Sequence, residues 1–226
     1  MISVVLLHVD REIGQRLGDT IAATPGFALA GVADNLPTLR EAFAPGLPDV
    51  LIVDLRAAHV QALLADLRSH AGGGHPLILA LSMSADDPRL IDALCGGAHG
   101  YFVQARSALS LPAAIEQLMR GESSMSPQIA RQVRARLDAD AGSHRAVGPG
   151  VPASLSEADR LLLRWTAEGY LVSEVARGLQ LTPQDVGVRM RHIYRTLQFD
   201  RATRGDPAQA AGGAVSMKLG RCASFS

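Results

Sequence analysis

Five short apolar runs set the architecture of the first half of this chain. They are Val4–Val9, Phe27–Ala33, Asp49–Asp54, Leu77–Ser82 and Gly100–Val103. Between them lie stretches with apolar residues at helical spacing: Arg11–Ala23, Leu36–Phe43, His59–Ser69 and Pro88–Cys95, with Leu109–Arg120 closing the series. In the first of these, Ile13, Leu17 and Ile21 share one face. Apolar strands alternating with amphipathic helices predict a parallel sheet covered on both faces. The expected class is therefore α/β, a doubly wound five-stranded parallel sheet. Sites in such sheets lie beyond the carboxyl ends of the strands. The residues expected there are His8, Val9 and Asp10, then Asp54, then Ser82, then Gln104.

The pattern changes after residue 120. Gly121–Ser126 breaks the alternation, and Pro127–Leu137 reads as a linker helix with Ile129, Val133 and Leu137 on one stripe. Asp138–Ser154 is rich in Gly, Ala, Pro and Ser without periodicity, which predicts a flexible connection. Leu155–Leu197 then reads as three short amphipathic helices with tight breaks, an all-α helix-turn-helix. Ser156 is a candidate N-cap with Asp159 three residues on, and Glu168-Gly169 ends the first helix. Val172–Leu179 forms the second, and Gln180-Leu181 turns the chain. Thr182 precedes Pro183 as the cap of the third. There Val186, Met190, Ile193 and Leu197 form an apolar stripe, while Arg189, Arg191, His192 and Arg195 fall elsewhere. Arginines on a groove-sized helix suit phosphates and guanine edges, so double-stranded DNA is the expected partner. The expected divisions are 1–121, 122–154 and 155–226.

Charge supports this division. Lys and Arg balance Asp and Glu at 22 each over the whole chain. Residues 1–150 hold 12 basic against 15 acidic residues, and residues 151–226 hold 10 against 7. An acidic first part and a mildly basic second part fit a chain that places only its tail on nucleic acid.

The segments LSEADRLLL, AEGYLVSEVARGL and LTPQDVGVRMRHIYRTL resemble the DNA-binding domain of the NarL/FixJ (LuxR-type) regulators. The resemblance implies that Gly187, Val188 and Arg191 face bases, and that Thr182, Gln184, Arg189 and Arg195 lie near the DNA backbone. Two positions depart from the family pattern: Asp185 stands where a threonine is usual, and Gly187 where a lysine is usual. The resemblance also implies a pairing helix after the recognition helix, hence a homodimer. Asp200–Asp206 is expected as a polar loop and Pro207–Leu219 as that helix, with Ala211, Val215 and Leu219 as its stripe and Gly212-Gly213 interrupting it.

Residues 1–120 are similar to the receiver domain of response regulators, which is flavodoxin-like. PDVLIVDL around Asp54, ILALS ending at Ser82 and GGAHGYFVQA around Tyr101 carry the likeness. It implies Asp54 as the equivalent of the phosphoacceptor, Ser82 as the switch hydroxyl and Tyr101 as the switch aromatic. Receivers hold Mg²⁺ with two adjacent acids after the first strand. Here His8 and Val9 occupy those positions, and Gln104 replaces a lysine. Valine cannot ligate, and imidazole is a poor ligand for a hard, oxygen-seeking ion. Asp10 and Asp54 remain as a weak set for Mg²⁺.

The expectation is thus a sequence-specific transcription regulator with an atypical receiver that works without phosphorylation. A conventional phosphorylated regulator and a protein-interaction module with weakened DNA binding are the alternatives. No nucleophile–base pair, metal cluster or phosphate-cradling loop is visible, so no enzyme and no cofactor are expected. A sensor kinase or a small-molecule ligand are candidate inputs. Cys95 and Cys222 have no metal or redox spacing, which suits a reduced cytoplasmic setting. No apolar run spans a bilayer, and no secretion signal is visible.

Overall fold

The computed structural model describes residues 1–69, 75–104, 110–141 and 155–204. Five parallel strands form one sheet: β1 (Ile2–Leu7), β2 (Phe27–Ala33), β3 (Val50–Asp54), β4 (Leu77–Ser82) and β5 (Gly100–Val103), in the order β2-β1-β3-β4-β5. The helices between them are α1 (Arg11–Ala22), α2 (Leu36–Ala42), α3 (Val60–Ser69) and α4 (Arg89–Gly96), with α5 (Leu111–Met119) closing the unit. The doubly wound sheet read from the apolar runs is the observed one. β3 is buried at every residue, as its unbroken apolar sequence requires.

Alternate residues of each strand feed two cores. Val4, Leu6, Val50, Ile52, Leu79, Leu81 and Phe102 pack with Ile21 of α1 and with Leu111, Ile115 and Leu118 of α5. The opposite face sends Val5, Leu7, Leu51, Val53, Ile78 and Ala80 against α2, α3 and α4. This second core does not stop at the receiver-like unit. It continues through Ile129, Ala130 and Val133 into Leu162, Val175, Val186, Met190, Ile193 and Tyr194 of the carboxyl-terminal helices.

Those helices are α6 (Pro127–Ala141), α7 (Glu157–Glu168), α8 (Val172–Leu179) and α9 (Pro183–Arg204). α7 starts in the expected capping box, with Ser156 Oγ accepting from Asp159 N–H at 3.1 Å and an Asp159 oxygen accepting from Ser156 N–H at 3.2 Å. It ends at Gly169, whose φ of 101° requires glycine. Among the boundaries that differ from the sequence expectation, β1 runs Ile2–Leu7 in place of Val4–Val9, which leaves His8 and Val9 just beyond the strand, and two differ by more. Asp138–Ala141 extend α6, where the flexible connection was expected to begin. Asp200–Arg204, expected in a polar loop, are helical and continue α9, because nothing from Gln198 to Arg204 breaks a helix. The remainder of the expected flexible connection, the pairing helix with its stripe, and Cys222 lie outside the described residues. Cys95 is buried. No helix among the described residues is long and apolar enough to cross a membrane.

His99 sits at the seam. Its Nδ1 accepts from Ile78 N–H at 3.0 Å, and its carbonyl accepts from the Ser123 hydroxyl. Burial, then the cations Arg191 and Arg195, push its pKa from 6.5 to about 4. The unfolded chain therefore binds a proton that the folded one refuses. The stabilising contribution is whole above the unfolded value and is lost as pH falls towards the folded one, about 2 kcal/mol by about pH 5. Carboxylates are still mostly ionised in both states there. The thermal midpoint of the protein is expected to drop between about pH 7 and pH 5, and that of His99→Asn to drop less; parallel pH profiles would show that His99 carries none of the effect.

Candidate functional sites: the Asp54 carboxylate and the buried face of α9

Asp54 ends β3 and is 2% exposed. Its nearest cation comes from two residues along the chain. The Arg56 guanidinium donates from Nη2 to Oδ2 at 2.8 Å and from Nε to Oδ1 at 3.1 Å, and Arg56 N–H donates to Oδ1 at 2.9 Å. Val9 N–H donates to Oδ2 at 3.3 Å. Burial pushes the Asp54 pKa up, but these bonds, led by the Arg56 side chain, outweigh it and hold the carboxyl below its usual range. His8, 1% exposed, places Nε2 at 3.6 Å from Oδ2, while its Nδ1 lies 2.8 Å from Asp10 O and 3.0 Å from Asp10 N.

Asp10 is already employed as the N-cap of α1. Its Oδ1 accepts from Glu12 N–H and Ile13 N–H, each at 3.0 Å, and the Ile13 bond leads in lowering its pKa. Receivers use Mg²⁺ here, an ion that demands near-octahedral oxygen ligation. One capping aspartate, one imidazole, one valine and a carboxylate already covered by a guanidinium do not fit such an ion. Arg56 was missed in the sequence reading. The signal was available as the Asp54-Leu55-Arg56 spacing, which places a guanidinium in reach of the carboxylate two residues back.

The same spacing recurs at Asp87-Pro88-Arg89. Arg89 donates from Nε and from Nη2 to the two Asp87 oxygens, each at 2.9 Å. Ser82 Oγ donates to Asp87 Oδ2 at 2.8 Å, so the expected switch hydroxyl is held by a carboxylate inside its own loop. Tyr101 is buried, and its hydroxyl accepts from Ser126 N–H at 2.7 Å at the start of α6. Gln104 N–H donates to Ser82 O at 2.9 Å, and its Oε1 is buried with no partner among the described residues. The structure thus brings His8, Val9, Asp10 and Asp54 together at one strand end. It ties Ser82 to Asp87 and Tyr101 to the connection with α6.

The second site is α9. Thr182 caps it: Thr182 Oγ1 accepts from Asp185 N–H at 3.1 Å and donates to Asp185 Oδ2 at 2.7 Å. The unusual aspartate is therefore a capping residue, held low by these bonds to Thr182. Gln184 and Arg195 are exposed, and Val188 is 44% exposed. Arg189 donates from Nη1 to Asp159 Oδ1 at 3.0 Å. The other two residues expected to face bases are covered by the receiver-like unit. Gly187 lies against Glu122, where an added Cβ would come within 3.1 Å of Glu122 Cβ. Its carbonyl accepts from Ser123 N–H at 3.0 Å. Arg191 is 4% exposed and donates from Nη1 to Leu118 O at 2.6 Å, in the last turn of α5. Burial, with Arg195 adding repulsion, lowers its pKa to about 10. Further along, Tyr194 Oη donates to Ser124 O at 2.8 Å, and Gln198 Nε2 donates to Leu94 O at 2.9 Å and Ala98 O at 2.7 Å. Glycine at 187 has a concrete purpose in this arrangement: it lets α9 approach the turn after α5.

No family model matches the chain. It is 25% identical over 223 residues to the DNA-binding transcriptional activator DevR/DosR of Mycobacterium tuberculosis, covering 98% of this chain and 97% of that one. It is 26% identical over 182 residues to the nitrate/nitrite response regulator NarL of Escherichia coli, covering 79% and 81%. It is 24% identical over 205 residues to the transcriptional regulatory protein LiaR of Bacillus subtilis, covering 90% and 94%. Among solved structures it resembles RcsB of Salmonella enterica serovar Typhimurium bound to promoter P1flhDC, with a TM-score of 0.51 at 19% identity over 88% of this chain and 92% of that one. The last likeness is one of fold. The named relatives are response regulators and transcription regulators, and the similarity runs through both halves of the chain.

The closeness at Gly187 yields a direct expectation. Gly187→Val sets two methyl groups against Glu122, so α9 must shift away. Hydrogen exchange at the Ser123 amide, which donates to the Gly187 carbonyl, is expected to accelerate by about tenfold or more, corresponding to about 1.4 kcal/mol of lost closure. Unchanged protection at Ser123 would show that the contact does not depend on glycine.

Proposed function

We propose that this chain is a sequence-specific, DNA-binding transcription regulator whose receiver-like domain works without phosphoryl transfer, and that the arrangement described above is its closed, DNA-excluding form. The observation that carries the reading is the position of α9. One helix bears the residues expected to read bases and also makes the contact with the receiver-like unit. A regulator that must withhold its reading head needs this double use. The named relatives support the regulatory class.

Two features support phosphate-independent control. Phosphoryl transfer to a carboxylate gathers negative charge that metal and cation must offset. Here the metal ligands are replaced, and the guanidinium bonded to Asp54 among the described residues is that of Arg56. A bidentate guanidinium also occupies both carboxylate oxygens, one of which would have to attack phosphorus. The two departures in α9 do not argue against DNA binding, since Asp185 caps the helix and Gly187 serves the closed contact. On opening, Arg191 leaves Leu118 O and becomes free for a base edge, and Arg195 meets the phosphate backbone. Pairing into a homodimer on two half-sites is the corresponding assembly.

The test has two arms. Incubation of the protein with acetyl phosphate and Mg²⁺ is expected to leave Asp54 unlabelled; stoichiometric labelling would return the chain to conventional phosphorylated control. In electrophoretic shifts across salt concentrations, Arg191→Ala is expected to relax base preference at a cost of about 1–3 kcal/mol, while Arg195→Ala weakens all sequences alike and flattens the salt slope. A folded protein with no preference for any operator at low salt would leave the interaction-module reading in its place.

A further inference from the structure

Between the end of α5 and the first half of α9 lies a cleft of about 690 Å³. Arg120 contributes from the receiver-like side, and Arg189, Arg191, His192 and Arg195 from α9. Two aspartates, Asp159 and Asp185, share the lining. Asp159 is paired with Arg189 and bonded to Ser156, while Asp185 bonds only the neutral Thr182 hydroxyl and amide and so keeps its charge. Arg120 donates to Glu122 at 2.7 Å, with half of its side chain still exposed. Arg191 and Arg195 have no carboxylate partner among the described residues. Arg191 is moreover buried with Nε unpartnered, holding one carbonyl through Nη1. Its lowered pKa reflects that burial and the repulsion of Arg195. The lining thus holds four arginines against two aspartates, and Arg191 and Arg195 are the two without a carboxylate partner among the described residues.

We infer that this cleft binds a small polyphosphorylated anion, which bridges Arg120 on the receiver-like unit to Arg195 on α9 and so holds the closed form. The volume falls within the range of small-molecule sites, roughly 300–1,000 Å³. Guanidinium groups converging from two sides match phosphate oxygens in geometry as well as charge. Leu181 and Val188 give the cleft an apolar wall against which a base can rest. Duplex DNA needs α9 free of the receiver-like unit, whereas a small anion enters while the two are together. A ligand that binds only the closed form must oppose whatever binds only the open form.

The inference rests on the closed arrangement and not on DNA recognition, so its test contains no DNA. The full-length protein is titrated calorimetrically with tripolyphosphate, with ATP and with orthophosphate at constant ionic strength. Saturable one-to-one binding of tripolyphosphate or ATP, with orthophosphate much weaker, is expected. ATP alone would assign the site to a nucleotide; both together would assign it to the polyphosphate group itself. Arg120→Ala is expected to weaken binding by about tenfold, and Arg120→Lys by less, because lysine keeps the charge and loses the fork. Absence of saturable binding overturns the inference. Equal affinity of Arg120→Ala and the unaltered protein also overturns it, since the anion would then be held by α9 alone.

Discussion

The contact between α9 and the turn that follows α5 governs the rest of the molecule. A helix can enter a major groove only when no other part of the protein covers its reading face. Here Gly187 and Arg191 are covered, and Val188 is left partly in solvent. Arg191 faces no carboxylate in this position. What it has is the Leu118 carbonyl in the last turn of α5, where the helix dipole places partial negative charge. A buried guanidinium with one charge-dipole partner and an unpartnered Nε is held with little to spare. Closure depends as much on the apolar surface of Ile193 and Tyr194 and on the Tyr194 and Gln198 hydrogen bonds as on Arg191 itself.

At the carboxyl end of the sheet, buried carboxylates are paired with guanidinium groups of their own loops. Two Asp-x-Arg segments, Asp54–Arg56 and Asp87–Arg89, each fold a guanidinium back onto a buried carboxylate. The negative charge is neutralised within three residues, without a metal. The consequence reaches the switch positions. Ser82 is bonded to Asp87 rather than to a group on Asp54, and Tyr101 directs its hydroxyl to the amide of Ser126. From Ser126 the path to α9 is three residues of backbone, because Ser123 N–H bonds the Gly187 carbonyl. A change in the packing of Tyr101 is therefore passed to α9 through the Ser126 and Ser123 amide hydrogen bonds.

Much of this was legible in the sequence. The five strands, the capping boxes at Ser156 and Thr182 and the turn at Gln180 follow from local rules: apolar runs, cap chemistry and the left-handed residue that closes α8. The strand-end cluster His8, Val9, Asp10 and Asp54 was legible too, because parallel sheets place such residues together. What could not be read is contact between segments far apart in sequence. Gly187 looked like a lost DNA contact; only the nearness of Glu122, 65 positions upstream, gives it a role. Arg191 looked exposed, since nothing in its own helix says that Leu118 lies over it. Asp200–Arg204 have the composition of a loop, yet none of them breaks a helix, so α9 runs on through Arg204. Arg56 follows from local spacing alone, since a guanidinium two residues beyond Asp54 can fold back onto its carboxylate.

Closure of this kind has a quantitative consequence for DNA recognition. The apparent affinity of a protein whose competent form is a fraction of the whole is the intrinsic affinity multiplied by that fraction. Each 1.4 kcal/mol of closure removes about a factor of ten. On the proposed phosphate-independent reading, the input that sets this fraction acts away from Asp54: on the Tyr101–Ser126 link, on the charged cleft beside Arg191, or on the pairing of two chains. These inputs differ in what they must overcome. Pairing gains from mass action and scales with concentration. A ligand shifts the fraction only by its difference in affinity for the two forms. On the proposed reading, the arginines of the cleft draw a small anion in the closed form and DNA phosphates once exposed. The two forms then compete for one set of charges, and the balance between them is set by which polyanion reaches it first in sufficient concentration.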